Sequence, residues 1–155
     1  MIARRRLLTT ASTVFALAAL TGCEKPAPIV TVVNAGQSTY AEAVRYCFED
    51  QSLVAGNCAI RNDGNNQLKI VGGQTVGVDV DKDLVDRGWF IELSDPGAAD
   101  PQQQAPQRSE VQDGHYFTFT APNLQAGGSL LLTVRSVGAT ADQTSGEWQF
   151  TLVPR

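Results

Sequence analysis

Apolar and polar residues alternate along most of the chain after residue 28, which is the pattern of β-strands with one buried face. The alternation is clearest over 76–80, 89–93, 115–120, 130–135 and 147–152. Runs rich in apolar residues add candidate strands over 29–33 and 68–71, and 43–48 is a weaker candidate. Glycine, proline, asparagine and serine fall between these segments, as turns require. Seven to nine short strands of this kind predict an all-β fold, an antiparallel β-sandwich.

Helical periodicity is weak in the same region. The segment 39–48 comes nearest to it and stays ambiguous, while 79–87 has room for one short turn before Gly88. Residues 94–108 follow neither pattern, because they hold three prolines and four glutamines among few apolar residues. A loop of that length is usually functional or disordered. We favour disorder, and this loop is the candidate if the protein holds a partner through a loop.

The N-terminus has the three parts of a lipoprotein signal peptide. Arg4, Arg5 and Arg6 are followed by a run without charge that ends in Leu20-Thr21-Gly22-Cys23. Because that run is short and diluted by hydroxyl side chains, it fits the apolar region of a signal better than a permanent membrane span. We therefore predict a signal peptide over 1–22. Its export route is open between the general secretory pathway, which we favour, and the twin-arginine pathway.

Cys23 is the predicted lipid attachment site. Small residues before a cleavage point let an extended chain enter a protease, and the thiol is the nucleophile that accepts diacylglycerol. Two acyl chains then hold a protein stably at a membrane, where one chain would be marginal. The alternative is a buried cysteine in an ordinary apolar segment, which the register of the three signal regions disfavours. Residues 23–28 are expected to form a short extended tether, and 29–155 the β-sandwich domain.

The charge of the mature chain narrows the classes of partner. Cleavage after residue 22 removes three of the 12 basic residues and none of the 16 acidic ones, which leaves a formal charge of −7. Such a chain lacks the basic surface that nucleic acid binding needs. An anionic membrane would also repel it, so that a covalent anchor is needed for residence at the membrane.

Cys47 and Cys58 are the remaining cysteines, and outside the cytoplasm they are expected to form a disulfide. Closing a loop of this size contributes on the order of 3 kcal/mol by the loop-entropy argument. The alternatives are a redox pair, which usually has only two residues between its cysteines, and a metal pair, which needs further ligands. With His115 as the single histidine, the disulfide is favoured.

Other candidate sites are weak. Asp79, Asp81 and Asp83 open like a calcium loop, but Leu84 and Phe90 stand where that loop needs glycine and glutamate. A solvated strand face is the favoured interpretation, and we expect neither a bound metal nor a cofactor. His115 is interpreted as a strand histidine with its hydrogen bonds satisfied, since nothing marks a nucleophile beside it.

The aromatic residues divide into expected core and expected surface. Trp89 and Trp148 lie in phase with apolar neighbours, so core packing is favoured over a ligand platform. Tyr40, Tyr46 and Tyr116 are expected to reach the surface.

The chain resembles a family of small actinobacterial cell-envelope lipoproteins with a domain of unassigned function. Beside the cysteine pattern, the resemblance rests on the order of five short segments, Cys23-Glu24-Lys25-Pro26, Val78-Asp79-Val80, Gly88-Trp89-Phe90, His115-Tyr116-Phe117 and Gly146-Glu147-Trp148-Gln149-Phe150. It spans essentially the whole mature chain. It implies a secreted, immunoglobulin-like β-sandwich, and it supplies no activity and no catalytic residues.

Together these features predict a lipid-anchored protein on the outer face of the cell membrane that binds rather than catalyses. The expected partner is an envelope protein or an envelope glycan, and we expect no enzymatic activity. One alternative is a small-molecule or ion carrier that feeds a transporter, for which a deep apolar pocket would be needed. A second is an envelope hydrolase, which would need a cleft with paired carboxylates or an activated nucleophile.

Replacing Cys23 tests the anchor directly. In Cys23→Ala the thiol that accepts the lipid is gone, so we expect loss of lipid attachment, with the precursor left uncleaved or released after misprocessing. Metabolic labelling with a fatty-acid probe measures this. Equal labelling of the wild type and the variant would contradict the prediction.

Overall fold

The computed structural model describes residues 25–48, 51–54, 58–60, 64–98, 105–140 and 142–155. The predicted signal peptide and Cys23 lie outside the described residues. Within them are eleven strands and one short helix, in chain order β1 (Ile29–Asn34), β2 (Gln37–Glu42), β3 (Arg45–Tyr46), β4 (Ala59–Ile60), β5 (Asn66–Ile70), β6 (Thr75–Val80), α1 (Lys82–Arg87), β7 (Trp89–Ser94), β8 (Gln107–Arg108), β9 (Tyr116–Thr120), β10 (Leu130–Val137) and β11 (Thr144–Pro154).

The strands form two sheets, which confirms the predicted β-sandwich. The small sheet has the order β2-β1-β6-β9, and the large sheet runs β4-β3-β11-β10-β7-β8. All pairs are antiparallel except that β5 joins the large sheet parallel to β11. Three of the eleven strands, β3, β4 and β8, have only two residues each, so the expected seven to nine strands match the longer ones.

The first hairpin contains a strand that the alternation did not reveal. Ala35 and Gly36 both have positive φ, 47° and 77°, as in the tight two-residue turns that join adjacent antiparallel strands. The turn pairs β2 with β1 from Asn34 and Gln37 to Ile29 and Glu42. The ambiguous segment 39–48 is therefore strand over 39–42 and 45–46, whereas the short turn expected within 79–87 is α1.

The core lies between the sheets around two tryptophans. Trp89 and Trp148 are both 0% exposed, as predicted, and each indole N–H has a backbone acceptor. Trp89 Nε1 donates to the Gly114 carbonyl at 2.8 Å, and Trp148 Nε1 donates to the Pro28 carbonyl at 2.9 Å. Tyr46 was expected at the surface, and this was wrong, because its ring packs against Trp148 with 5.8 Å between centroids. Burial raises the pKa of the Tyr46 hydroxyl above its ordinary value.

The predicted disulfide joins Cys47 to Cys58, with 4.5 Å between the two Cα atoms. It links the end of β3 to the residue before β4, at the edge of the large sheet. The Cys47 amide also donates to the Ser145 carbonyl at 2.8 Å, which fixes this edge against β11. The bond thus closes a short hairpin that has little core of its own.

Part of the segment 94–108 is ordered, contrary to the expectation of disorder. Its last residues form β8, which pairs with β7, and the Arg108 guanidinium lies 3.5 Å from the centroid of the Phe90 ring. At the other end the Asp95 carboxylate accepts a hydrogen bond from the Gly97 amide at 2.8 Å. Residues 99–104 lie outside the described part of the chain.

Residues 25–28 pack onto the sandwich, although an extended tether was expected over 23–28. Ala27 is 7% exposed, and the carbonyl of Pro28 is held by Trp148. The Ile29 amide donates to Asp81 Oδ2 at 2.7 Å. Ala27 and Pro28 are therefore docked on the sandwich before β1 begins.

Gly146 is the glycine whose replacement should cost most. A Cβ there would lie 2.6 Å from Trp148 Cη2 and 2.8 Å from Ser136 Oγ, and neither side chain has solvent to move into. We expect Gly146→Ala to lower the free energy of unfolding by about 1–3 kcal/mol through overpacking. Urea unfolding measures this. Gly114→Ala is the control, because its Cβ would meet no atom within 4 Å, and equal losses in both variants would contradict the packing argument.

Candidate functional site

The outer surface of the small sheet is the candidate functional site. Side chains alternate across a strand, and Val30, Val32, Val76 and Val78 are 0% exposed, so that their neighbours point away from the core. We call this surface the tyrosine face, and it consists of Ile29, Thr31, Val33, Ser38, Tyr40, Glu42, Thr75, Gly77, Asp79, Tyr116, Thr118 and Thr120.

One row of residues crosses this face from edge to edge. Thr31 is in register with Tyr40 on one side and with Asp79 on the other, and Asp79 is in register with Tyr116. Tyr40 is 68% exposed and Tyr116 is 56% exposed. Three strand spacings separate the Cα atoms of the two tyrosines, which is about 14 Å. A ligand that covers the whole row from β2 to β9 is therefore an extended molecule or a polymer.

The neighbouring row explains why Tyr116 lies flat on the sheet. A Cβ on Gly77 would lie 1.9 Å from Tyr116 Oη and 2.8 Å from Val33 Cγ2. The ring thus crosses the bare backbone of β6 and its hydroxyl reaches towards β1. Glycine at position 77 is what permits this close approach, and it makes the face flat.

The face offers a defined set of chemical groups. Tyrosine rings present an apolar surface with a polar tip, which is why they are frequent in binding surfaces. Between the two rings stand the Thr31 hydroxyl and the Asp79 carboxylate, and further hydroxyls from Ser38 and Thr118 lie in the next row. The arrangement suits a ligand with exposed C–H surfaces and many hydroxyl groups.

Charged side chains on the outer surface of the large sheet pair with one another. Arg135 donates to Glu92 Oε2 at 2.6 Å and to Glu147 Oε2 at 3.0 Å, and Arg45 lies 3.7 Å from the same Glu147 oxygen. Glu147 is only 6% exposed, and Gln149 donates to its other oxygen. Because these charges satisfy one another, this surface has fewer groups to offer a partner than the tyrosine face.

His115 has a structural role, as the sequence indicated. It precedes β9, and its Nδ1 donates to the Val80 carbonyl at 2.9 Å, while its own carbonyl accepts from the Val80 amide at 3.0 Å. These two bonds extend the pairing of β6 and β9 by one residue. One ring nitrogen is therefore used in holding the edge of the small sheet.

The three aspartates that resemble a calcium loop have different environments. Asp79 belongs to the tyrosine face, Asp81 accepts the Ile29 amide, and Asp83 pairs with Lys25 at 2.6 Å. The hydrogen bond and the charge of Asp83 raise the pKa of the Lys25 ammonium. In the part of the chain that the structure describes, no group of three histidine, cysteine, aspartate or glutamate side chains is placed to hold a metal ion.

Among the clefts that the described residues line are open ones of 240 to 340 Å³. One lies where Gly72 meets Asn123, one near Leu93 and Leu130, and one beside Lys25 and Asp81. Ligand pockets that bury a small molecule usually measure about 300–1,000 Å³ and are deep.

Comparison of the chain with protein-family models, with curated proteins and with solved structures finds no match in any of the three. Among the described residues, no helix is long and apolar enough to cross a membrane.

Changing Gly77 tests how the face is built. In Gly77→Ala the new methyl group occupies the place of the Tyr116 hydroxyl, so we expect the exposed ring to swing off the sheet with little loss of stability. Nuclear Overhauser contacts between the Tyr116 ring and the Val33 methyl groups should disappear. Persistence of those contacts at wild-type strength would show that the ring does not depend on the glycine.

Proposed function

We propose that this protein is a membrane-anchored, extracytoplasmic lipoprotein of the cell envelope that acts as a non-catalytic binding module. Support comes from the signal sequence with its lipid site at Cys23 and from the Cys47–Cys58 disulfide, since disulfides persist in oxidising compartments. The resemblance to small actinobacterial envelope lipoproteins belongs to the same proposal. Our choice of binding over catalysis rests on the tyrosine face, which is exposed and flat and does not enclose a substrate.

The ligand that we propose for this face is a neutral envelope glycan. The observation that carries the proposal is the row of Tyr40, Thr31, Asp79 and Tyr116, in which two exposed rings flank a hydroxyl and a carboxylate. Aromatic rings stack on the C–H faces of sugars, and carboxylate oxygens accept hydrogen bonds from sugar hydroxyls. A neutral glycan is favoured over an anionic one because Asp79 and Glu42 lie on the face.

An envelope protein is the second candidate partner, since tyrosine is also frequent in protein interfaces. The hydroxyl side chains that share the face with the two tyrosines favour the glycan, because protein interfaces usually have a continuous apolar centre.

Substitution of the two tyrosines tests the proposed ligand. We expect Tyr40→Ala and Tyr116→Ala each to weaken binding of neutral envelope oligosaccharides about 2- to 10-fold, since a stacked ring contributes about 0.5–1.5 kcal/mol. Tyr116→Phe keeps the ring and should bind nearly as well as the wild type. Titration followed by NMR shifts of the purified domain measures the affinities.

Val54→Ala is the control, because Val54 is 96% exposed and lies outside the small sheet, in a turn between β3 and β4. Unchanged affinity in both tyrosine variants would contradict the glycan site. A photo-crosslinker at Thr118 in intact cells would then detect a protein partner on the same face. If the domain instead turned over an envelope substrate and lost that activity in His115→Ala, the hydrolase alternative would replace the binding module.

A further inference from the structure

The N-terminal segment is held to one end of the sandwich by contacts of three kinds. Lys25 pairs with Asp83 at 2.6 Å, the Ile29 amide donates to Asp81, and the Pro28 carbonyl accepts the indole N–H of Trp148. We call these residues the N-terminal clasp. They place the first described residues beside α1, at the end of the small sheet where β1 begins and β6 ends.

We infer that the lipid anchor holds the α1 end of the sandwich against the phospholipid headgroups of the membrane. The inference rests on the proposed lipidation of Cys23. Glu24 alone stands between Cys23 and Lys25. Two Cα–Cα steps reach at most about 7.6 Å, so a lipid on Cys23 cannot carry the clasp far from the bilayer.

The side chains beside α1 include both lysines and aspartates. Their charge is therefore more nearly balanced than the net charge of the chain, which suits a position next to the headgroups. Lys82 forms an ion pair with Asp86 one helical turn away, and Lys25 neutralises Asp83. Two of the carboxylates next to the anchor are therefore paired with lysines, whereas Asp81 accepts only the Ile29 amide. Asp113 is exposed near the same end, so the short covalent link, and not electrostatic attraction, sets the orientation.

The orientation fixes the direction of the tyrosine face. β1 leads away from the clasp, and Thr31 is its third residue, so the row of tyrosines stands about 7 Å farther from the bilayer than Ile29. The loop that contains Ala126, which joins the far ends of β9 and β10, lies about 20 Å from the clasp if the six residues of β1 set the distance. The face opens sideways, close to the membrane surface.

Fluorescence quenching tests the orientation on the full-length lipidated protein in phosphatidylcholine vesicles. A fluorophore is attached at Lys82→Cys in one sample and at Ala126→Cys in another, and the vesicles contain lipids with nitroxide-labelled headgroups. Both positions are exposed, and the native thiols are occupied by lipid and disulfide. We expect severalfold stronger quenching at position 82 than at position 126.

A longer linker is the matched control. Ten glycine and serine residues inserted between Glu24 and Lys25 have a root-mean-square reach of about 17 Å, which should largely remove the difference between the two positions. Equal quenching in the protein without the insertion, or a difference that survives the insertion, overturns the inference. Intact mass measurement separates the two proposals, since a protein without lipid on Cys23 refutes the lipoprotein itself, whereas equal quenching of a lipidated protein refutes only the orientation.

Discussion

The hydrogen bond from the Trp148 indole to the Pro28 carbonyl is the contact on which the arrangement of this protein depends. An indole N–H buried in a core costs about 1–3 kcal/mol if it has no acceptor, so Trp148 at 0% exposure needs one. The acceptor lies 120 residues earlier in the sequence, immediately before β1. The same contact therefore joins the last strand of the large sheet to the first strand of the small one. It also determines where the chain enters the fold.

The two outer surfaces of the sandwich use their polar groups in opposite ways. On the large sheet, Arg135 connects Glu92 with Glu147, so these charged side chains pair with one another within the protein. On the small sheet, Tyr40 and Tyr116 lie across the strands as exposed rings. The two outer surfaces therefore differ in how many side chains they leave available to a partner. This difference is the physical basis on which we propose the small sheet as the binding surface.

Much of the fold was predictable from the sequence, because alternation reports burial on one side, and eight strands are long enough to show it. The alternation did not reveal β2, because β2 is an edge strand in which Ala41 is the single fully buried residue. The burial of Tyr46 depends on Trp148, and the docking of Pro28 does too, so no local pattern indicates either. Similarly, Tyr40, Tyr116 and Asp79 were each noticed in the sequence. Their alignment depends on the register of β1 with both neighbours, which only the folded sheet determines.

The position of β1 has a mechanical consequence. This strand follows the N-terminal clasp and lies between β2 and β6, with antiparallel neighbours along its length. If a polymer held at Tyr40 and Tyr116 is pulled away from the cell, the tension passes into β1 directly from β2, and from β9 through β6, across the hydrogen bonds between the strands. Those bonds are loaded together in shear, so they resist as a group instead of opening one at a time. With the proposed lipid on Cys23, a domain joined to its anchor through a central strand is suited to bearing tensile load between the membrane and the proposed ligand.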